Sequence, residues 1–291
     1  MKSPFKLTAY ILAADPAWIR ESVFSYYHLV EEIVVSYDTN GMGWTGVPIP
    51  VDECLTRLRA IDHDKKMRFV AGDFARPNRH PMENDTFQRQ CAFDDASAGA
   101  DWVLEIDTDE ILPNPAALLS MLSYASERDI ALVEWPMRVF FQKLRDGRFL
   151  EVCARKRRDR FEYPGPIAAR PGAKCTDARH ALGRFLRPVV IGDRQSPQVC
   201  ATPGADEVRI ENLPVEDAIL HFSWARSAED VRSKVASWSH SEGLKSWIFY
   251  HLWWKSAPYI WPCIWNFHPF VRGLWPRLKP TDVKFSGLAI S

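Results

Sequence analysis

The chain has 291 residues, 46% of them hydrophobic and 25% charged, which is typical of a soluble globular protein with one large α/β domain or two smaller ones. Its 37 basic and 37 acidic residues cancel, so no global positive charge indicates a nucleic-acid partner. The six cysteines lack Cys-x-x-Cys spacing, which argues against a zinc knuckle or a disulfide framework and favours a reducing cytoplasm.

The first half of the chain predicts strands and helices in alternation. Apolar runs bounded by turn residues predict strands, and apolar residues at helical spacing predict the helices between them. The predicted strands are 6–13, 32–37, 67–71, 102–106 and 130–135, and the predicted helices are 16–27, 51–61, 84–98 and 115–128. This alternation indicates an α/β fold in which helices flank a mostly parallel, Rossmann-like sheet.

Acidic residues follow the predicted strands at four places. Asp15, Asp38 and Asp73 come just past the first three strands, and Asp107 and Asp109 follow the fourth. Ligands of open parallel sheets bind beyond the carboxyl ends of the strands. The acids therefore predict a polar cleft at that edge.

Asp107 and Asp109 form the most informative pattern. If the backbone stays extended, both carboxylates point the same way, because side chains alternate along a strand. Two carboxylates side by side can hold Mg²⁺ or Mn²⁺ and leave positions open for substrate phosphates. A calcium loop of the EF-hand type is excluded, because Leu112 and Leu118 stand where that loop needs glycine and an acid.

The middle of the chain, 140–214, is rich in proline, glycine and arginine and has weak periodicity. It predicts short antiparallel strands and loops that cover the cleft. The basic run 155–160 within it is interpreted as a solvated loop, with anionic lipid or substrate phosphate as the alternative.

A histidine closes a later apolar strand, 218–224. His221 is followed by a predicted helix that begins at Ser227, and Lys234 lies at the edge of its apolar stripe, from which it could reach a cleft. A histidine at a strand end is more often a core residue than a ligand. The aspartate pair favours the second interpretation here.

Two segments together resemble GT-A glycosyltransferases, especially family 2 and its relatives. The first is Asp107-Thr108-Asp109-Glu110 with its lead-in, Ala100–Val103. The second is similar to a His…Lys…Ser-His segment of related bacterial and N-acetylglucosaminyl transferases, and consists of His221-Phe222-Ser223-Trp224, Lys234 and Ser239-His240. The resemblance covers roughly 5–241, which we divide into a nucleotide-sugar half, 1–135, and a smaller mixed acceptor side, 136–241.

The resemblance implies a nucleotide-sugar donor, most simply a UDP-sugar, and Mn²⁺ or Mg²⁺. Asp107, Asp109 and His221 would be the metal ligands, and Lys234 would neutralise the diphosphate. The remaining nucleotide-pocket residues that it implies are Asp15, Asp38, Arg89 and Asp107. The acceptor would be a glycan, a lipid-linked molecule or a protein, in surface polysaccharide or glycoconjugate synthesis.

The chain departs from the family pattern in two places. Ser36–Asn40 replaces the consecutive acids that usually end the second strand, so the resemblance does not fix the base of the nucleotide. The family's Glu-Asp acceptor motif is also missing. An inverting reaction needs a carboxylate that takes the proton of the acceptor hydroxyl. Glu151 is our candidate, chosen from a set that also contains Glu134, Glu162 and Asp193.

The carboxyl-terminal tail, 242–291, is rich in tryptophan and interrupted by prolines, so a membrane-spanning helix is not expected. We expect it to pack on the catalytic domain; the alternative is peripheral contact with the inner face of the membrane. Two other functions stay open: a metal-dependent nucleotidyl- or phosphotransferase, and a non-catalytic carbohydrate- or membrane-binding protein.

Overall fold

The computed structural model describes residues 3–237, 244–268 and 271–283. The strands are β1 Leu7–Leu12, β2 Glu32–Asp38, β3 Met67–Gly72, β4 Trp102–Glu105, β5 Glu110–Ile111, β6 Leu132–Glu134, β7 Met137–Lys143, β8 Phe149–Cys153, β9 Pro166–Ala169, β10 Cys175–Asp177, β11 His180–Ala181, β12 Phe185–Val190, β13 Glu207–Leu213, β14 Ile219–His221 and β15 Arg277–Thr281. The helices are α1 Ile19–Tyr26, α2 Val51–Ile61, α3 Pro81–Ala96, α4 Pro115–Glu127, α5 Pro197–Cys200, α6 Ala228–Ser237, α7 Leu244–Ile248 and α8 Ala257–Ile260. Single turns of 3₁₀-helix at Arg155–Arg157 and Val215–Asp217, and a π-helical turn at Phe249–Trp254, complete the secondary structure.

An eight-stranded sheet forms the centre of the molecule, in the order β13-β12-β6-β9-β4-β1-β2-β3. All neighbouring strands are parallel except β9, which runs antiparallel to both β4 and β6. The predicted α/β class and mostly parallel sheet are therefore confirmed. Strands β2 and β3 follow β1 on one side, whereas β4 lies on its other side. The strand order therefore reverses between β1 and β4, and ligands commonly bind at the carboxyl ends of strands at such a switch point.

Helices cover both faces of this sheet because its strands are apolar on both sides. Alternate residues of β1, such as Ala9 and Ile11, pack with helices α1, α2 and α4. The intervening Tyr10 and Leu12 pack with Ala92 and Phe93 of α3. Burying both sides of each central strand fixes its register and holds its carboxyl end still.

Helix α4 begins immediately after the acidic segment and fixes where that segment ends. Asn114 caps it, accepting hydrogen bonds from the backbone N–H groups of Ala116 at 3.1 Å and Ala117 at 3.2 Å. Pro115 is the first helical residue, where proline has no intrahelical bond to lose.

A second sheet of five strands, in the order β15-β8-β7-β14-β5, lies against the first. Its short strand β5 pairs antiparallel with β14, and that register sets His221 opposite Glu110. Residues 110 and 221 are thus held side by side by backbone pairing, although they are far apart in the sequence.

One expectation for the middle region was wrong in part. Strands β12 and β13 are parallel and extend the main sheet, so 140–214 is not only antiparallel strands and loops. Strand β12 was not predicted because Arg187 and Pro188 interrupt its apolar sequence. Arg187 is nevertheless buried in the strand, where it pairs with Glu134 and Glu207.

The tail packs on the rest of the chain, as expected. Strand β15 pairs with β8, and Phe249, Trp254 and Phe267 join Phe141 in one apolar cluster. The boundary drawn at 241/242 and the Ser239-His240 part of the resemblance lie outside the described residues. Within the described ranges, no helix has both the length and the hydropathy needed to cross a membrane.

Candidate functional site

A cleft of about 250 Å³ opens at the carboxyl ends of β1, β2 and β4 and is closed on one side by β14 and α6. Helix α3 contributes a further wall. Seven of the eight side chains singled out from the sequence line it: Asp15, Asp38, Arg89, Asp107, Asp109, His221 and Lys234.

The acidic segment turns instead of continuing as a strand. The N–H of Glu110 donates to the carbonyl of Asp107 at 3.0 Å, which closes a tight turn over residues 107–110. Extended backbone was the premise for placing Asp107 and Asp109 on one face, and that premise was wrong. The two carboxylates consequently have different partners.

Asp107 is held by two buried arginines. Arg89 donates to its carboxylate at 3.0 and 3.2 Å, and Arg179 donates at 2.6 Å. Burial alone would raise the pKa of Asp107, but Arg179 and Arg89 outweigh burial and hold this pKa well below its usual range. Asp107 therefore favours its ionised form and is already paired with two cations.

Arg89 and Arg179 tie Asp107 to three further buried carboxylates. Arg89 pairs with Asp85 and Glu105, both at 2.8 Å, and Arg179 pairs with Glu110 at 2.9 Å. Each long side chain is thereby fixed in one position. Asp107 serves in this arrangement as part of the support for the loop that carries Asp109.

Asp109 faces the cleft and meets its far wall. Lys234 donates to Asp109 Oδ2 at 2.9 Å and to the carbonyl of Ser223 at 3.0 Å. Arg226 also pairs with Asp109, and it pairs with Asp15 as well. Burial lowers the pKa of Lys234, and nearby Arg226 lowers it further, whereas Asp109 favours its charged form.

One group of side chains in the described ranges has the spacing of a metal site. The ligand atoms of Asp109, Glu110 and His221 all lie within 4.8 Å of one another. His221 Nε2 is 3.7 Å from Asp109 Oδ1, as the sequence predicted for a meeting of these two residues. The third member is Glu110, not the predicted Asp107, because the turn directs Asp107 towards the arginines.

Asp15 and Asp38 line the cleft at the ends of β1 and β2, as predicted, but their carboxylates are occupied. Asp15 accepts from the N–H of Ala17 at 3.0 Å and pairs with Arg226.

Both oxygens of Asp38 accept backbone N–H groups, from Asn40 and Met42 on one side and Phe74 and Ala75 on the other, at 2.9–3.2 Å. A carboxylate has about four acceptor sites, so Asp38 has none left for a ribose hydroxyl. It instead joins the loops that follow β2 and β3.

Glu151 lies away from the cleft, in the second sheet. Arg138 clamps both of its oxygens at 2.8 and 3.1 Å, and the hydroxyl of Thr281 donates to it at 2.7 Å. A general base must reach the acceptor hydroxyl and keep a free lone pair. This geometry gives the choice of Glu151 no support.

Three charged residues of the site were missed or misjudged from the sequence. Arg179 and Arg226 lie in irregular segments, and no spacing pattern marked them. Glu110 was considered only as an acid next to the aspartate pair. A prediction of the tight turn after Asp107 would have shown that the side chain of Glu110 points into the protein.

Comparison with known proteins gives no family assignment. Neither a scan against models of protein families nor a search of curated proteins returned a match.

Proposed function

We propose that the chain is a metal-dependent glycosyltransferase of the GT-A type that transfers a sugar from a nucleotide-sugar donor, a UDP-sugar in the first instance, to an acceptor hydroxyl. The observation that carries the proposal is the convergence of Asp109, His221 and Lys234 on one cleft at the ends of parallel strands, with the buried carboxylate of Glu110 within 4.8 Å of the ligand atoms of Asp109 and His221.

The donor set suits Mn²⁺ or Mg²⁺. Two carboxylates and one imidazole are hard or intermediate ligands, and the nitrogen makes Mn²⁺ the better match. His221 Nε2 lies 3.7 Å from Asp109 Oδ1, which is beyond hydrogen-bond distance, so this nitrogen is open to a metal ion placed between the two residues.

The balance of charge also supports a cation. Around Asp107 and Asp109 the ion pairs join six carboxylates, those of Asp15, Asp85, Glu105, Asp107, Asp109 and Glu110, to four cations, those of Arg89, Arg179, Arg226 and Lys234. Two negative charges are left over when all are ionised, which is the charge of one divalent ion. Burial raises the pKa of Glu110, so its charged form lacks full compensation within the protein.

The chemistry follows from where the charges lie. A metal bound to Asp109, Glu110 and His221 would supply a Lewis acid for the diphosphate of the donor. Lys234, fixed by Asp109 and Ser223, supplies an ammonium that stabilises the negative charge of the departing nucleoside diphosphate. Arg89 and Arg179 hold the loop that carries these ligands.

The architecture is in keeping with the proposed GT-A type. Donor sites of nucleotide-binding sheets lie at the switch point of the strand order, which here falls between β1 and β4. A phosphotransferase or nucleotidyltransferase would more often place a glycine-rich phosphate loop after the first strand. The connection from Ala13 to Trp18 contains no glycine.

The test is hydrolysis of nucleotide sugars, in which water takes the place of the acceptor hydroxyl. UDP-, GDP- and CMP-sugars are incubated with the protein in Mn²⁺, and free nucleotide is measured. We expect Mn²⁺-dependent release from one donor class, lost in Asp109→Ala and kept in the control Asp52→Ala, whose side chain is exposed on α2. Equal release by wild type and Asp109→Ala would overturn the proposal. Transfer of phosphate or nucleotide would point to the phosphotransferase class instead.

A further inference from the structure

A second cavity, about 780 Å³ in volume, lies between the turn that follows β8 and the loop that precedes β15. It shares no lining residue with the cleft. We call it the basic cavity, because its lining contains five cations and no acid: Arg155, Lys156, Arg160, Arg272 and Arg277, with Ala154, Gln195, Trp265, Asn266, Gly273 and Pro276.

The cations of the basic cavity form no ion pairs in the described part of the chain, and Glu162 and Asp193 act on Arg160 only through space. No ion pair in that part involves Arg155, Lys156 or Arg272, and all three are exposed. The nearest acids along the chain have other partners, since Asp159 pairs with Lys279 and Glu162 accepts from the indole N–H of Trp275.

Arg160 adds a buried donor to this surface. One of its terminal nitrogens donates to the carbonyl of Gly273 at 2.9 Å, which fixes the guanidinium across the cavity. Its Nε is buried and has no hydrogen-bond partner.

The backbone of the basic turn is also unusual. Lys156 and Arg157 both have left-handed conformations, with φ values of 59° and 57°. Side chains other than glycine, asparagine and aspartate rarely adopt this region, at a cost of about 1–2 kcal/mol per residue. Strain that persists at two successive cationic residues favours a binding role for the turn.

We propose that the basic cavity binds a phosphate group. Phosphate suits the observed donors, because arginine presents a planar fork of N–H groups and lysine presents a point charge. The cavity is larger than one phosphate. Its wall includes the ring of Trp265, which is 59% exposed and whose centroid lies 4.9 Å from Cζ of Arg277. The ligand is therefore a phosphate that carries an organic portion.

The surroundings favour the headgroup of an anionic lipid over a soluble phosphate. Residues 243–281 contain no aspartate or glutamate. Large apolar side chains are exposed in the same region, at Leu244, Trp247, Leu252, Tyr259 and Trp265. Tryptophan and tyrosine favour the headgroup zone, and nearby cations attract anionic lipid.

The experiment compares two phosphate sources with one pair of variants. Wild type, K156Q/R272Q and the control R128Q/K174Q, whose residues line neither cavity, are sedimented with vesicles of phosphatidylcholine alone or with one-third phosphatidylglycerol. The same proteins are titrated with inorganic phosphate and pyrophosphate by calorimetry.

We expect wild type and control to bind the anionic vesicles, and K156Q/R272Q to bind them at least about tenfold more weakly, because each basic residue at an anionic surface contributes to affinity. If wild type binds phosphate or pyrophosphate but not the vesicles, and K156Q/R272Q loses this binding, the basic cavity is a phosphate site whose ligand is soluble. The proposal is overturned if wild type binds neither source, or if the variant binds as wild type does.

Two controls separate this result from misfolding and from the proposed function. K156R/R272K keeps the charges and should bind like wild type, and thermal unfolding shows whether each variant folds. Mn²⁺-dependent nucleotide-sugar hydrolysis should be unchanged in all variants, because the cavity and the cleft share no lining residue. Failure at the cleft therefore leaves the result at the basic cavity interpretable.

Discussion

The cleft and the basic cavity handle charge in opposite ways. In the cleft, Arg89, Arg179 and Lys234 all contact carboxylates, and acids outnumber cations. In the basic cavity, Arg155 and Arg272 have no acidic partner in the described chain. A surplus of buried acid suits a metal ion, and a surplus of cation suits an anion.

The comparison also separates support from ligand binding. A charge that is surrounded by opposite charges stabilises the local structure and has little capacity left for a ligand. Asp107 belongs to this class because two arginines hold it. Asp109 and Glu110 also pair with cations, so they differ from Asp107 in position: their ligand atoms lie within 4.8 Å of those of His221, which is the spacing of a metal site. A motif residue such as Asp107 can thus be central to a site without touching the ligand.

The largest effect is expected from breaking the support of the cleft. Arg89→Met would leave Asp85, Glu105 and Asp107 without a shared buried cation, and removing one partner of such a pair costs about 3–5 kcal/mol. Urea denaturation measures the free energy of unfolding of the variant and of wild type. The control, Arg68→Met, breaks an exposed pair with Glu32 and should cost less than about 1 kcal/mol. Equal losses would show that the arginine is not a buried support.

The next effect concerns metal affinity. His221→Gln removes the imidazole from the group of three ligands. Loss of even an outer partner of a metal ligand weakens affinity by about 10–100-fold, so we expect a loss near the upper end for Mn²⁺. Electron paramagnetic resonance of free Mn²⁺ measures it, with His28→Gln, an exposed histidine, as control. Unchanged affinity would remove His221 from the site.

Lys234 should affect turnover without weakening the metal site. Lys234→Gln removes the ammonium proposed to stabilise the leaving diphosphate, so nucleotide-sugar hydrolysis should fall by about 100-fold. Mn²⁺ affinity should not fall, because Asp109 loses a competing cation. Parallel kinetics and Mn²⁺ titration check both, beside the exposed-lysine control Lys143→Gln. A parallel loss of both quantities would contradict the assigned role.

The smallest effect on turnover is expected at Glu151. Glu151→Gln should leave the kcat of nucleotide-sugar hydrolysis within about twofold of the wild-type value, whereas loss of a general base would lower this kcat by about 10²–10⁴. Stability should fall by about 1–3 kcal/mol, because Arg138 loses a charged partner. Steady-state kinetics and urea unfolding give the two values. A large fall in kcat in a folded variant would restore Glu151 as the base.

Local patterns in the sequence were enough for the first half of the fold. Strands β1 to β4 are short segments rich in apolar residues with turn residues after them, so their approximate bounds and the position of Asp15, Asp38 and Asp107 at one edge could be predicted. The meeting of His221 with Asp109 was implied by the resemblance described above, not by the local pattern of either strand.

The rest depends on contacts between distant residues. Arg179 reaches Asp107 across 72 positions, and Arg226 reaches Asp109 across 117. No periodicity records such contacts. The turn at 107–110 is set by β5, a strand of two residues that exists because β14 lies beside it. The distinction between Asp107 and Glu110 as ligands was therefore inaccessible from the sequence.

The most direct measurement is the change in Tm of the wild-type chain with Mn²⁺ and each of UDP-, GDP- and CMP-sugars. The account predicts that one class of nucleotide sugar raises Tm only when Mn²⁺ is present, and that Asp109→Ala removes the rise. If Tm stays constant with every donor in Mn²⁺, the cleft is not a metal-assisted nucleotide-sugar site.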